Sequence, residues 1–265
     1  MEVSKTILSL NNNSGAGSFP VFHALRGAES PLILFVHGLC CSTTIFDDAF
    51  TSPSLTPDFS IASLDLPGFG QSEHLPDPTM AALAGACETA IRHLKQHSSR
   101  IHLVAHSMGG AVVLKLPEAL LEDRATIGSL LIAEGNLVAE DCSLFSRGIA
   151  ARPEADFIAA YPRFAPKLAA VPYLDVAPLT PRTVYRAAKD LVACSDASPS
   201  LLDTLHRLRV PAGYVYGEEN GDMPVLDRLG DIPQFMVCRS GHAMMRDNPA
   251  EFYDIVGNWC RAHQD

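Results

Sequence analysis

Ser107 lies in the stretch LVAHSMGG, after residues typical of a buried strand and before an apolar series at helical spacing. A hydroxyl at such a corner is a candidate nucleophile. The turn from strand to helix is so tight that the serine itself takes a strained backbone conformation. Its neighbours two before and two after, Ala105 and Gly109, must then be small. The corner lifts Oγ clear of the chain and aims the Met108 N–H, at the start of the helix, at the same point, where it would stabilise an oxyanion. The plainer reading is a serine that caps the following helix.

A serine nucleophile needs a base. His242, in SGHAMMRDNP, follows an apolar strand-like run and precedes a helix opened by Pro249. An imidazole there can take the serine proton and hand it to a leaving group; the plainer reading is a loop histidine near a helix start. The charged imidazole needs a carboxylate behind it. Glu134 closes the apolar run SLLIA, where a charge is expensive unless it has a partner. Its plainer role is to hydrogen-bond the hinge of the segment that follows.

The elements that must position these groups follow from hydrophobic patterning. TILSL and PVFHAL, separated by NNNSGAGS, predict an antiparallel hairpin. Apolar strands are expected at 31–38, 59–70, 100–107, 129–136, 212–220 and 234–242, with helices at 79–96, 108–121 and 249–262. Fully apolar strands alternating with helices belong to a parallel sheet covered on both faces, a doubly wound α/β fold. Active groups in such sheets gather at the carboxyl ends of the strands, where His37, Asp65, Ser107, Glu134, the 218–222 acidic cluster and His242 all fall. Residues 136–209 break the alternation: no convincing strand occurs, and prolines at 153, 162, 166, 172, 178 and 181 cut the segment into short helices. We expect it to be a helical cap inserted between core segments 1–135 and 210–265.

The chain has 265 residues, of which 47% are hydrophobic and 19% charged, which suits one large core with an insertion. A formal charge of −10 argues against a nucleic-acid or anionic membrane surface as partner. The N-terminus lacks the basic and apolar regions of a signal peptide, and no apolar run is long enough to span a membrane. Seven cysteines without metal-ligand spacing predict free thiols and a cytoplasmic setting. Without a phosphate loop, dinucleotide fingerprint or metal cluster, we expect no cofactor, no metal and a small-molecule substrate.

Four motifs occur in order. AHSMGG is similar to the nucleophile elbow of the α/β-hydrolase superfamily, with Ala105 in place of the first glycine. FVHGLCCST resembles its oxyanion loop, LDLPGFGQSE its Asp-x-Pro-Gly-x-Gly-x-Ser loop, and SGHAMMRDNPAEFYDIVGNW the segment with its catalytic histidine. The resemblance spans residues 35–259 and implies an eight-stranded, mostly parallel sheet and Ser–acid–His hydrolysis. It implies that Leu39 supplies a second oxyanion N–H beside that of Met108, and that His37 and Asp65 organise the oxyanion loop, with His37 and Gly38 at the substrate. The family's common acid position follows the strand AGYVYG, in a Gly-x-x-Asp loop. Here that position is Asn220, which cannot carry the charge, and Asp222 lies two residues on. Haloalkane dehalogenases and some lipases place the acid after the preceding strand, where this chain has Glu134. We favour Glu134, keep Asp222 as the alternative, and read Glu218 and Glu219 as solvated loop charges. By strand alternation His106 points away from the nucleophile's side.

A serine nucleophile implies acyl transfer through an acyl-enzyme, on an ester, thioester or amide. Apolar cap residues, Phe157, Tyr161 and Phe164 among them, suggest a small apolar or aromatic acyl group, although most such residues must simply bury the cap. The same scaffold hosts C–C bond hydrolases, lyases and perhydrolases, and a ligand receptor that has lost hydrolysis is the reading from another class.

Overall fold

The computed structural model describes residues 2–12, 15–142 and 145–264. Strands β1 (Ser4–Asn12) and β2 (Gly15–Ala24) pair antiparallel in a continuous register from Ser4 opposite His23 to Asn12 opposite Gly15. The turn expected between them, at 13–14, lies outside the described residues. The remaining strands are β3 (Leu32–Val36), β4 (Ser60–Leu64), β5 (Ile101–His106), β6 (Ile127–Ala133), β7 (Ala212–Gly217) and β8 (Gln234–Val237). They form one eight-stranded sheet in the order β1-β2-β4-β3-β5-β6-β7-β8. β2 meets β4 antiparallel, and all pairings from β4 to β8 are parallel.

Period-two alternation divides the strand residues between two cores. Leu32, Leu34 and Val36 of β3, with Leu103 and Ala105 of β5, pack on one face against α1 (Met80–Leu94) and α2 (Met108–Val113). Ile33, Phe35 and Val104 pack on the other, against Phe252, Tyr253 and Val256 of the final helix (Pro249–Arg261). Helices on both faces make the sheet doubly wound. The chain order reverses direction between β3 and β5, so the loops leaving these strands open a crevice at the switch point. Those loops carry Leu39 and Ser107.

Several boundaries depart from the patterning. The helix expected over 108–121 breaks, because Pro117 has no N–H to donate; α2 ends at Val113 and α3 spans Glu118–Leu121. The strand expected to reach His242 ends at Val237, leaving His242 on a loop just before α8 (Met244–Asp247), with the final helix as α9.

Between β6 and β7 the described residues contain helices α4 (Ser146–Ala150), α5 (Glu154–Ala169), α6 (Pro181–Ser195) and α7 (Leu201–Arg207), and no strand. Pro181 opens α6 as expected, but Pro162 and Pro166 do not cut the chain. Both lie inside α5 on its exposed side, where the carbonyls they leave unpaired can turn to water. Among the described residues no helix is long and apolar enough to cross a membrane.

Candidate active site

Ser107 sits between β5 and α2 with φ 54° and ψ −123°, a conformation that costs a non-glycine residue about 1–3 kcal/mol. The surroundings hold it there. Its N–H donates to the Ala133 carbonyl at 2.9 Å. A Cβ on Gly109 would collide with the Val36 carbonyl oxygen, and one on Gly38 would stand 2.9 Å from the Ser107 Cβ. The small residues of the elbow are therefore required by β3 and its following loop. Among the described residues the N–H groups of Leu39 and Met108 have no acceptor.

Glu134 follows β6 directly and turns through a left-handed conformation, φ 44°. Its side chain is 2% exposed, yet every approach to its oxygens is by a donor. Oε1 accepts the Gly217 N–H at 2.8 Å, the Asn220 amide donates to both oxygens at 2.9 Å, and Oε2 lies 2.6 Å from His242 Nδ1. Burial, the largest single influence, pushes the carboxyl upward. The bonds from His242, Asn220 and Gly217 together outweigh it and hold the group below the usual glutamate range. With a carboxylate on Nδ1, the proton belongs on that nitrogen and Nε2 keeps its lone pair. Asn220, which occupies the family's common acid position, thus serves as donor to the acid on the neighbouring strand. Asp222 is exposed and makes no hydrogen bond to His242.

The His242 loop is fixed from several sides. Gly217 has no room for a side chain because the Ser240 and Gly241 carbonyls press on it. Glu219 N–H donates to Ser240 O at 3.1 Å, and Arg239 N–H donates to Glu218 Oε2 at 2.6 Å. Glu218, expected to be merely solvated, therefore braces this loop. His106 Nε2 donates to the His242 carbonyl at 2.9 Å, and the two rings lie 4.6 Å apart between centroids. Alternation does send His106 to the face opposite α2, but the His242 loop arrives on that same face.

Ser107, His242, Gly38 and Leu39 open on one cavity of about 220 Å³. Its other walls include Asn136, Cys41 and, from the helical segment, Phe145, Leu168, Tyr173 and Leu174. In this state Ser107 Oγ donates to Asn136 Oδ1 at 3.4 Å, not to His242. Cys41 does not compete as a nucleophile, because burial pushes its thiol up to about 12 and keeps it protonated.

His37 does not reach this cavity, contrary to the expectation of a substrate contact. It is fully buried, with Nδ1 donating to Gly38 O at 2.8 Å and Nε2 accepting the Leu66 N–H at 3.0 Å. Asp65 accepts the N–H groups of Thr43 and Gln71, both at 2.8 Å, so both residues tie down the loop after β3. Phe157, Tyr161 and Phe164 also lie off the Ser107 cavity. They fall at i, i+4 and i+7 on the inner stripe of α5, where Phe157 meets Tyr185 of α6 with centroids 5.8 Å apart. Asn136 and His106 went unrecognised as site residues. Asn136 offers no type-specific signal, whereas the position of His106 next to Ser107 in the sequence is such a signal.

A strained serine at the switch point and a carboxylate–histidine pair on the next loops of the same sheet define the α/β-hydrolase class. The model of the alpha/beta hydrolase family matches residues 33–255, and the chain belongs to that family. Over 97 residues, 36% of its length, the chain is 32% identical to the dihydrolipoyllysine-residue acetyltransferase component of the acetoin cleaving system of Cupriavidus necator; the match spans only 25% of that protein. Among solved structures it resembles a thermophilic esterase from Thermogutta terrifontis, with TM-score 0.73 and 18% identity over 99% of this chain and 100% of that one. It is similar also to a mutant of the N-acyl homoserine lactonase AidH complexed with N-hexanoyl homoserine, with TM-score 0.71 and 20% identity over 99% and 98% of the two chains.

Proposed function

We propose that the chain is a serine hydrolase that cleaves carboxylic esters, thioesters or amides of small apolar acyl groups through an acyl-enzyme on Ser107. The observation that carries this reading is the pair Glu134 Oε2–His242 Nδ1 at 2.6 Å, whose imidazole lines the same cavity as Ser107. In the first step the Ser107 hydroxyl leaves Asn136 and turns to His242 Nε2. Oγ attacks the substrate carbonyl carbon as its proton passes to Nε2. The carbonyl oxygen becomes an oxyanion held by the Leu39 and Met108 N–H groups, and Glu134 stabilises the imidazolium. The tetrahedral centre collapses, the bond to the leaving group breaks, and Nε2 returns the proton to that group. Water then repeats the sequence on the acyl-enzyme, with Nε2 taking its proton and returning it to Ser107.

On the same reading, helices α4–α7, within residues 136–209, act as a cap whose apolar side chains exclude water and select the acyl group. That the structurally similar Thermogutta protein is an esterase and AidH an N-acyl homoserine lactonase supports the bond class. The seven free thiols fit a cytoplasmic setting. The test is turnover of a short chromogenic ester and labelling by a fluorophosphonate probe. The wild-type chain is expected to do both and Ser107→Ala neither. A wild-type chain that neither turns over the ester nor takes the label is a ligand-binding protein instead.

A further inference from the structure

A second cavity of about 220 Å³ lies in the helical segment, between α4 and α5. Its walls include Ile149, Phe157, Ala160 and Phe164, and Arg152 stands among them. One side chain, Phe145, lines both this cavity and the cavity of Ser107. Phe145 is half-buried, and an aromatic ring forms no hydrogen bond that would anchor it. Its ring stacks on Phe164, with centroids 5.9 Å apart and planes 13° from parallel, and Phe164 in turn meets Phe157 edge-on at 6.1 Å. Gly148 lines the far compartment at an exposed position, and nothing stands within 4 Å of where a Cβ on it would lie.

We propose that Phe145 partitions a single acyl site into two compartments, so that it sets the acyl length accepted at Ser107, and that the compartment beyond it takes the distal methylenes of a linear acyl chain. This rests on the acyl-transfer reading above. The first compartment alone admits a short chain; a longer one must displace the Phe145 ring from its stack on Phe164. Methylenes that leave water for the walls formed by Ile149, Phe157, Ala160 and Phe164 strengthen binding by at most roughly fourfold each. With the ring removed, the two spaces join and that gain continues along the chain.

Two readouts test this separately from the chemistry. Binding of butanoate, hexanoate, octanoate and decanoate is measured by calorimetry, and hydrolysis of the matching p-nitrophenyl esters by absorbance. In the wild-type chain affinity is expected to stop rising within this series. In Phe145→Ala it is expected to keep rising, with decanoate gaining at least tenfold over butanoate relative to wild type. Phe145→Leu, which removes less volume and perturbs the fold less, moves the profile in the same direction by a smaller step. Adding Gly148→Leu to Phe145→Ala refills the far compartment and restores the short-chain profile. Unchanged carboxylate profiles in both Phe145 variants overturn the proposal, as does a long-chain gain that survives Gly148→Leu. A shifted carboxylate profile without turnover of any ester supports the partition and refutes the acyl-enzyme.

Discussion

Glu134→Gln is the most informative substitution at the site, because the surrounding donors allow only one accommodation. The carboxylate now accepts Gly217 N–H on Oε1, His242 Nδ1–H on Oε2 and the Asn220 amide on both. A glutamine has one acceptor oxygen. If it keeps the buried Gly217 N–H, its amino group faces His242 Nδ1, which must then become the acceptor. The ring proton moves to Nε2, the nitrogen that on the proposed mechanism has to receive the proton of Ser107. The charge that stabilises the imidazolium is lost as well. At 2.6 Å and an effective dielectric constant near 20, that attraction is about 6 kcal/mol. Most of it counts toward the barrier, because the imidazole is neutral before the reaction. The analogous Asp-to-Asn change in serine proteases lowers kcat by about 10⁴. We expect a fall in kcat of about 10³–10⁴ on a short p-nitrophenyl ester, with KM little changed and a folded protein by circular dichroism. Asp222→Asn, at an exposed position, should stay within about twofold of wild type. Glu134→Gln that keeps a tenth of the wild-type kcat, or Asp222→Asn that loses as much as Glu134→Gln, refutes the assignment.

Two further predictions concern the frame around the site. Alanine normally stabilises a helix by about 1 kcal/mol relative to glycine, so Gly148→Ala, with open space around it, should raise the melting temperature slightly, whereas Gly109→Ala, pressed on the Val36 carbonyl, should lose about 1–3 kcal/mol in urea titration. His102 is buried in β5 with its Nδ1 2.8 Å from Ser129 Oγ, and burial lowers it from 6.5 to about 4. The unfolded chain therefore binds a proton that the folded chain refuses, so stability present above pH 6.5 is lost as pH falls toward about 4, by about 3 kcal/mol. Urea titrations across this window should show a shallower slope for His102→Gln than for wild type.

What could be read from the sequence was what depends on local spacing. Alternating apolar strands and helices gave the doubly wound sheet, and the crowding of Ala105 and Gly109 around Ser107 located the elbow, because those constraints act between near neighbours. Positions set by distant packing were not legible. Pro162 and Pro166 look like helix breaks, yet α5 passes through them because both sit on its solvent side. Phe157, Tyr161 and Phe164 have the composition of a substrate pocket, but none of them lines the Ser107 cavity, which takes its outer wall from Phe145 and from residues 168–174 instead. His37 shows the converse: a polar residue at a strand end, where chemistry collects, is spent on holding the Leu66 N–H and the Gly38 carbonyl.

Asn220 carries the most general point. Taken alone, an amide in place of a catalytic acid reads as decay of the site. β6 and β7 are adjacent and parallel, however, so the residues that follow them end close together in space. A carboxylate after β6 and an amide after β7 can address the same imidazole, one directly and one through the other. Placing the charge on Glu134 buries it almost completely, and such a carboxylate needs donors on its remaining lone pairs to stay ionised. Asn220 supplies them from the vacated position, where an aspartate would set two carboxylates against each other and raise the affinity of the pair for a proton. The asparagine is thus the expected companion of a buried carboxylate placed after β6. On this argument Asn220→Ala, which removes the amide donors, should shift the acid limb of the pH–activity profile upward, and Asn220→Asp, which adds a second carboxylate, should shift it further; the same acid limb in both variants and wild type would show that the amide does not hold Glu134 ionised.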